Sequence, residues 1–199
     1  FWLSHILRKP SRLVLAKPGQ IVAPADGLVL DVAEDYFPCQ YEHTTKTPAL
    51  RITIRNRLYD IQVNMSPITG HIVDNEVIPG LFLEWGEDSE CWDKARVVNE
   101  RREIRIRDAC DREVVIAQIG SRTARQLVCR LAEGKYVKTG DYIGMMRLAG
   151  CCEIFLPLSC QKIVAVGQTV IAGETVLAEF RDTKSSSDKN GADGHPVDV

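Results

Sequence analysis

Proline and glycine interrupt this chain about every ten residues, and that spacing leaves room only for short elements between them. The interruptions fall at Pro18-Gly19, Pro24, Gly27, Pro38, Pro48, Pro67, Gly70, Pro79-Gly80, Gly134, Gly140, Pro157, Gly167 and Gly173. Between them lie short runs rich in β-branched residues, such as Ile52-Thr53-Ile54, Val114-Val115-Ile116 and Ile163-Val164-Ala165-Val166. Short strands at regular spacing predict a mainly β (α+β) fold with a β-sandwich or barrel-like core.

Two sequence patterns recur within the chain. Residues 24–29 are similar to residues 67–72, and residues 134–141 are similar to residues 167–174. These patterns resemble the strands of biotinyl and lipoyl carrier domains, whose architecture is a barrel-sandwich hybrid. Carrier domains need an exposed lysine at a hairpin tip, and Met145-Met146-Arg147 provides none. We therefore expect this architecture without the carrier function.

One or two helices are expected beside the strands. Ala124, Leu127, Val128 and Leu131 follow helical spacing, which predicts a helix that begins at Ser121 and stops at Gly134. A second helix is predicted over residues 87–96.

The bulk composition excludes several classes of protein. At 199 residues and 45% hydrophobic, the chain can form one domain with a sizeable core. A net charge of -2 with sparse aromatic residues argues against a nucleic-acid partner. The seven cysteines include no C-x-x-C pair, which favours free thiols in a reducing compartment, and no metal-ligand spacing is present.

The two ends of the chain differ from its middle. Residues 1–17 join an apolar start, which includes Trp2, to the basic run Arg8-Lys9-Pro10-Ser11-Arg12. This order is typical of a membrane-proximal segment, although an ordinary amphipathic terminus fits equally well. Residues 181–199 are almost free of apolar side chains and are expected to be a disordered tail. The domain itself is expected to span residues 18–180.

Several separated segments resemble one enzyme family when they are taken in order. They are Pro18-Gly19 with Ala23-Pro24-Ala25-Asp26-Gly27, Tyr59-Asp60-Ile61-Gln62-Val63-Asn64 with Pro67 and Gly70, Pro79-Gly80 with Asn99-Glu100-Arg101, Gln118-Ile119-Gly120 with Ala124-Arg125 and Val128-Cys129, and Ala172-Gly173-Glu174. Together they resemble the short, bacterial-type phosphatidylserine decarboxylases. The resemblance implies phosphatidylserine and a membrane surface as partners, a place at the cytoplasmic face of the bacterial inner membrane, and a homodimer.

The resemblance also implies a self-cleavage site, and this chain departs from it. In the family, a Gly-Ser bond cleaves itself and the serine becomes a pyruvoyl group that serves as the electron sink. Aligned without gaps, that pair falls on Ala149-Gly150. Glycine has no side-chain nucleophile and no β-carbon, so it can neither attack the preceding carbonyl nor become a pyruvoyl group.

The two residues that assist cleavage in the family fall on Asp26 and Gln62. The family's histidine takes the proton of the serine, and its aspartate holds the histidine. Asp26 preserves the aspartate, although an Asp before Gly is also a common turn residue. A carboxamide at Gln62 cannot act as a general base. We therefore expect an uncleaved, inactive relative of the family that carries no cofactor.

Two alternatives remain open from the sequence. A shift of one residue would make Gly150-Cys151 the cleavage pair, since a thiolate is a good nucleophile, and a pyruvoyl group would then form at Cys151. The protein would in that case be an active decarboxylase that converts phosphatidylserine to phosphatidylethanolamine. A third possibility is a structural partner that pairs with an active paralogue.

A candidate lipid site lies at the start of the first predicted helix. Gly120, Ser121 and Arg122 would offer a helix N-terminus to a phosphate or carboxylate, with Arg125 one turn further along. The alternative is a capped surface helix with solvated arginines.

Overall fold

The computed structural model describes residues 2–38, 46–85 and 89–181, and within these ranges it contains fourteen strands and two helices. The helices are α1 (Trp2–Ile6) and α2 (Ser89–Val98). The strands are β1 (Gln20–Val22), β2 (Gly27–Tyr36), β3 (Pro48–Asn56), β4 (Val63–Met65), β5 (Gly70–Ile78), β6 (Arg101–Arg107), β7 (Glu113–Ile119), β8 (Gln126–Cys129), β9 (Tyr136–Val137), β10 (Tyr142–Arg147), β11 (Gly150–Pro157), β12 (Cys160–Lys162), β13 (Thr169–Val170) and β14 (Val176–Phe180). The predicted tail lies outside the described residues except for Arg181.

Three antiparallel sheets make up the fold. The largest has eight strands in the order β13-β2-β3-β11-β7-β6-β5-β9, and two three-stranded sheets have the orders β1-β14-β12 and β4-β10-β8. The prediction of a mainly β fold is therefore confirmed. None of the helices in the described ranges is long and apolar enough to cross a membrane.

Strand β11 lies inside the large sheet and is buried on both faces. It pairs without a register shift with β3, from Gly150 opposite Asn56 to Pro157 opposite Ala49. On its other side it pairs with β7. One face contributes Cys152, Ile154 and Leu156 to the main core, and the other packs Cys151 and Phe155 near Trp85 and Ala95. Each large apolar side chain buried in this way contributes about 1.5–3 kcal/mol to stability.

Helix α2 covers the second face of β11 and brings charge with it. Its Arg96 donates to the Glu153 carboxylate of β11 and to Asp35, both at 2.5 Å. Arg51 of β3 also contacts both carboxylates, at 3.3 and 2.8 Å. Glu153 is buried, and a buried carboxylate is tolerated only when it is paired in this way. The prediction of a helix over residues 87–96 is confirmed to within two residues at each end.

The predicted helix over residues 121–134 is wrong, because residues 126–129 form strand β8. Gln126 is exposed, Leu127 is buried, Val128 is half-buried and Cys129 is buried, which is the period of a strand. The apolar residues Ala124, Leu127, Val128 and Leu131 match the spacing of a helix only by chance. Ser121 caps a short turn instead, since its Oγ accepts from the Ala124 N–H at 3.0 Å.

Two residues with left-handed backbone conformation connect β10 to β11. Leu148 has φ of 67° and Ala149 has φ of 69°. A side chain with a β-carbon is strained in this region, at about 1–2 kcal/mol per residue. The connection therefore carries strain directly before Gly150.

We expect the Ala149→Gly variant to be more stable than the natural chain, by about 0.5–1 kcal/mol after the greater freedom of glycine in the unfolded state is subtracted. The measurement is the denaturant midpoint in equilibrium unfolding. Ala132→Gly is the matched control, because Ala132 is exposed and has no positive φ, so that variant should lose stability. Equal losses in both variants would contradict the strain at Ala149.

Candidate functional site

Gln62 lies just before β4 and reaches the connection between β10 and β11. Its Oε1 accepts a hydrogen bond from the Ala149 N–H at 2.7 Å. Its Nε2 donates to the carbonyls of Asp60 and Arg57, at 2.8 and 3.0 Å. The side chain is 1% exposed. The structure thus brings Gln62 to the Ala149-Gly150 peptide, as the resemblance implies.

The hydrogen bonds of Gln62 fix the role of each end of its amide. The oxygen faces a backbone donor and the nitrogen faces two backbone acceptors, so the orientation satisfies every partner. A neutral carboxamide is far too weak a base to take a proton from a nucleophile near neutral pH. Its contribution at this position is structural, because it connects the β3–β4 loop to the residue before Gly150.

Asp26 uses both carboxylate oxygens for other contacts. Oδ2 accepts from Arg12 at 2.7 Å, and Oδ1 accepts from the Ala172 N–H at 2.8 Å. Burial raises the pKa of Asp26 above its ordinary value, although the Ala172 N–H and Arg12 counteract part of the increase. No hydrogen bond between described residues joins this carboxylate to Gln62.

The backbone of Asp26 is nevertheless tied to the same site. Asn56, at the end of β3, donates from Nδ2 to the Asp26 carbonyl at 2.7 Å and to the Ile61 carbonyl at 3.1 Å. Asn56 is also the residue paired with Gly150. Asp26, Gln62 and Gly150 therefore surround one small region, with Asn56 between them.

Gly150 occupies a crowded position at the start of β11. A β-carbon added there would lie 3.0 Å from the Ile119 carbonyl oxygen and 3.4 Å from both the Ala124 Cβ and the Met146 Sδ. A residue with a side chain would fit only after its neighbours moved by a few tenths of an ångström. Glycine fits without that movement.

Cys151 points away from this region. Its Sγ donates to the Ile54 carbonyl at 3.4 Å, and the side chain packs on the face of β11 that α2 covers. Burial raises the pKa of the Cys151 thiol well above its ordinary value, and the nearby Glu153 and Cys152 raise it further. The reactive thiolate is therefore strongly disfavoured at this position.

A buried polar group on the Gly150 side of β11 was missed from the sequence. Gln118 donates from Nε2 to Asn64 Oδ1 at 2.8 Å, and Asn64 donates to the Pro24 carbonyl at 3.3 Å. Cys152 lies 3.9 Å from Asn64 Nδ2. Gln118 and Asn64 lie in segments that resemble the family, but an amide gives no sign of a role until its neighbours are known.

The N-terminal segment is the second feature that sequence reasoning missed. The Ile6 carbonyl at the end of α1 accepts from the Gln62 N–H at 2.8 Å. Six residues later, Arg12 forms its ion pair with Asp26. The segment of residues 6–12 therefore contacts both Gln62 and Asp26, which are the positions that assist cleavage in the family. The only sign of these contacts in the sequence was the basic run of residues 8–12, which was interpreted as part of a membrane-proximal segment.

The predicted lipid-binding residues lie beside Gly150 but not on a helix. The N–H of Gly120 donates to the Glu100 carbonyl at 2.8 Å, and the N–H of Ser121 donates to the Ala124 carbonyl at 3.1 Å. These donors are thus already used, which removes the anion site at a helix N-terminus. Arg122 and Arg125 are exposed, and the Arg125 guanidinium lies 5.4 Å from the centre of the Phe82 ring.

The described residues contain no cluster of three or more histidine, cysteine or acidic side chains that could hold a metal ion.

Comparison with known proteins agrees with the sequence resemblance. The model of the phosphatidylserine decarboxylase family matches residues 2–178. A phosphatidylserine decarboxylase proenzyme of Rickettsia rickettsii (strain Sheila Smith) is 32% identical over 188 residues, which cover 94% of this chain and 79% of the relative. The proenzyme of Cereibacter sphaeroides (strain ATCC 17025 / ATH 2.4.3) is 33% identical over 184 residues, covering 92% and 77%. The proenzyme of Paramagnetospirillum magneticum (strain ATCC 700264 / AMB-1) is 32% identical over 185 residues, covering 93% and 75%. The chain belongs to the phosphatidylserine decarboxylase family.

Proposed function

We propose that this chain is a phosphatidylserine decarboxylase-like protein that does not cleave itself, has no decarboxylase activity and retains phospholipid head-group binding. The observation that carries the proposal is the contact between Gln62 Oε1 and the Ala149 N–H, directly before Gly150. At the point where the family has a nucleophile and a base, this chain has a glycine and a fully hydrogen-bonded amide.

The absence of a base adds to the absence of a nucleophile. Asp26 is the one ionisable group preserved from the family's set, and its carboxylate is held by Arg12 and the Ala172 N–H. Burial raises the pKa of this carboxylate, but no hydrogen bond within the described ranges brings it to the Ala149-Gly150 peptide, so it is not placed to act as the base there. General base catalysis typically contributes 10²–10⁴-fold, and that contribution is missing here.

The residues present do not fit the pyruvoyl group of the family. That group forms from the side-chain carbon of the cleaved residue, and Gly150 has none. The crowding by Ile119, Ala124 and Met146 means that even a small side chain at this position requires movement of its neighbours.

The alternative cleavage at Gly150-Cys151 meets two obstacles. The Cys151 thiol is buried on the face of β11 opposite to the Gln118–Asn64 group, and burial raises its pKa. The pairing of β11 with β3 also runs without a bulge, so no local irregularity absorbs a shift of one residue. Both observations favour the uncleaved chain.

Head-group binding is proposed at Arg122 and Arg125. Both guanidinium groups are exposed, and they flank Ala124, whose Cβ lies close to Gly150. Phosphatidylserine presents a phosphate diester and a carboxylate, and guanidinium groups bind both through charge-assisted hydrogen bonds. The proposed surface thus lies beside the position of the lost chemistry and places the protein at a phospholipid surface, which we propose to be the cytoplasmic face of the bacterial inner membrane.

The purified chain should remain whole, with an intact mass near 22.2 kDa, because Gly150 offers no nucleophile and Gln62 no base. Mass spectrometry of the intact protein decides this directly. Two fragments that split beside Gly150 or Cys151, the smaller with a blocked carbonyl terminus, would disprove the proposal and support the cysteine alternative.

Self-cleavage should return in part in the variant Gln62→His/Ala149→Gly/Gly150→Ser, because the rest of the site still follows the family. Ala149→Gly relieves the left-handed strain at residue 149. The new serine needs a small shift of the Ile119 carbonyl and a change in the φ of 157° at residue 150, so cleavage should be slow. Cleavage is followed over days by denaturing electrophoresis and mass spectrometry. The matched control is Gln62→His/Ala149→Gly/Gly150→Ala, which adds the same β-carbon without a hydroxyl and should stay whole.

A well-folded triple variant that stays uncleaved would show that the site has diverged at more than these three positions. Cleavage of the alanine control as well would mean that a contaminating protease, rather than the serine, breaks the chain.

Vesicles that contain phosphatidylserine should bind the natural chain more strongly than the Arg122→Ala/Arg125→Ala variant, and the variant should show weaker salt dependence. Its thermal stability should change little, because exposed charges contribute little to folding. Lys94→Ala/Lys162→Ala is the matched control, since it removes two exposed positive charges elsewhere. Binding is measured by co-sedimentation. Equal loss in both variants would reject the site, and no binding by the natural chain would favour the structural-partner alternative.

A further inference from the structure

A cleft of about 640 Å³ lies apart from the residues of the candidate site. Neither Asp26, Gln62, Gly150 nor Cys151 lines it. Its walls come from the end of the N-terminal segment, from the loop between β6 and β7, and from the residues around β9. Its volume is in the range of pockets that hold small molecules.

The lining of the cleft carries more positive than negative charge. Lys17, Lys138 and Arg112 line the cleft, together with a single carboxylate, Asp108. That carboxylate is already occupied, because Oδ1 accepts from the N–H groups of Cys110 and Arg112, at 2.8 and 2.9 Å, and Oδ2 accepts from the Arg112 guanidinium at 2.8 Å.

Lys17 and Lys138 supply the remaining positive charge of the lining, and the Asp141 carboxylate accepts from the backbone N–H of Lys138 at 2.8 Å. No ion pair within the described ranges involves Lys17 or Lys138. Two ammonium groups that share one concave surface create a positive potential, which attracts an anion.

The lining also contains aromatic and aliphatic side chains. The Arg112 guanidinium lies over the Phe180 ring, 3.8 Å from its centre, and its bonds to Asp108 fix it there. The half-exposed Tyr136 ring packs against His71 with 5.1 Å between ring centres. Val14 is half-buried and adds aliphatic surface. A lining with both apolar and positively charged groups suits a ligand with both characters.

We propose that this cleft binds a small amphiphilic anion, which carries one phosphate or carboxylate group on a short apolar body. The lysines contact the anionic group, and Val14 and Tyr136 contact the apolar part. The hydroxyls of Thr69 and Thr139 hydrogen-bond to each other at 3.0 Å, which leaves one of the two O–H groups as a further donor. This inference does not depend on the proposed function, because no residue of the candidate site takes part.

Cys110 offers a direct reporter of occupancy. It lines the cleft and is exposed, whereas Cys129, Cys151, Cys152 and Cys160 are buried. A ligand in the cleft covers the thiol and slows its alkylation by iodoacetamide, which is neutral and does not compete for the lysines. Peptide-resolved mass spectrometry measures the rate at Cys110 separately from every other cysteine.

The probe is octyl phosphate below the concentration at which it forms micelles. We expect saturable protection of Cys110 in the full chain and at least a tenfold weaker apparent affinity in Lys17→Gln/Lys138→Gln. Lys94→Gln/Lys162→Gln removes the same charge from exposed positions outside the cleft and should leave the affinity unchanged. Thermal unfolding of both variants verifies that they are folded.

Two further protection measurements test the anionic group and the apolar body of the ligand separately. Inorganic phosphate tests the anion alone, and octanol tests the apolar body alone; each should protect Cys110 at least tenfold less well than octyl phosphate. Equal protection by either one would overturn the amphiphilic assignment. Equal affinities in the two double variants, or no protection by octyl phosphate at all, would overturn the site itself.

Discussion

The uninterrupted pairing of β11 on both sides is the constraint on which the rest of the structure depends. Because β3 and β7 fix its register, every residue from Gly150 to Pro157 has a set face. Even-numbered positions meet the main core and the Gln118–Asn64 group, whereas odd-numbered ones meet α2. A shift by one residue would turn the Glu153 side chain toward the apolar core and break its contacts with Arg51 and Arg96.

That register also explains how the site keeps its shape through contacts that need no ionisable side chain. The Gln62 side chain makes three hydrogen bonds, all to backbone groups. Asn56, which lies opposite Gly150 in β3, donates to the carbonyl of Asp26. These bonds need polar side chains of the right size but no ionisable group. A scaffold of this kind stays ordered when its reactive residues are replaced, because its stability comes from pairing and burial.

The sequence was sufficient for the mainly β fold and for α2, since turn residues and periodicity are local signals. It failed at residues 121–134, where the same apolar residues fit both a helix and the alternation of β8. The family resemblance located Gln62 and Gly150 correctly beside each other. It could not reveal that Arg12 holds Asp26, because an ion pair across fourteen residues leaves no pattern in the sequence.

The Asp26 carboxylate also has a consequence for the order of folding. Its two partners, Arg12 and the Ala172 N–H, come from opposite ends of the described chain, and the second is 146 residues away. Strand β1 likewise pairs with β14. During synthesis, the contact between Asp26 and Ala172 and the pairing of β1 with β14 can therefore form only after nearly the whole domain has left the ribosome. Closure by such distant contacts is slow, and the apolar surface that they later cover stays accessible to chaperones during this interval.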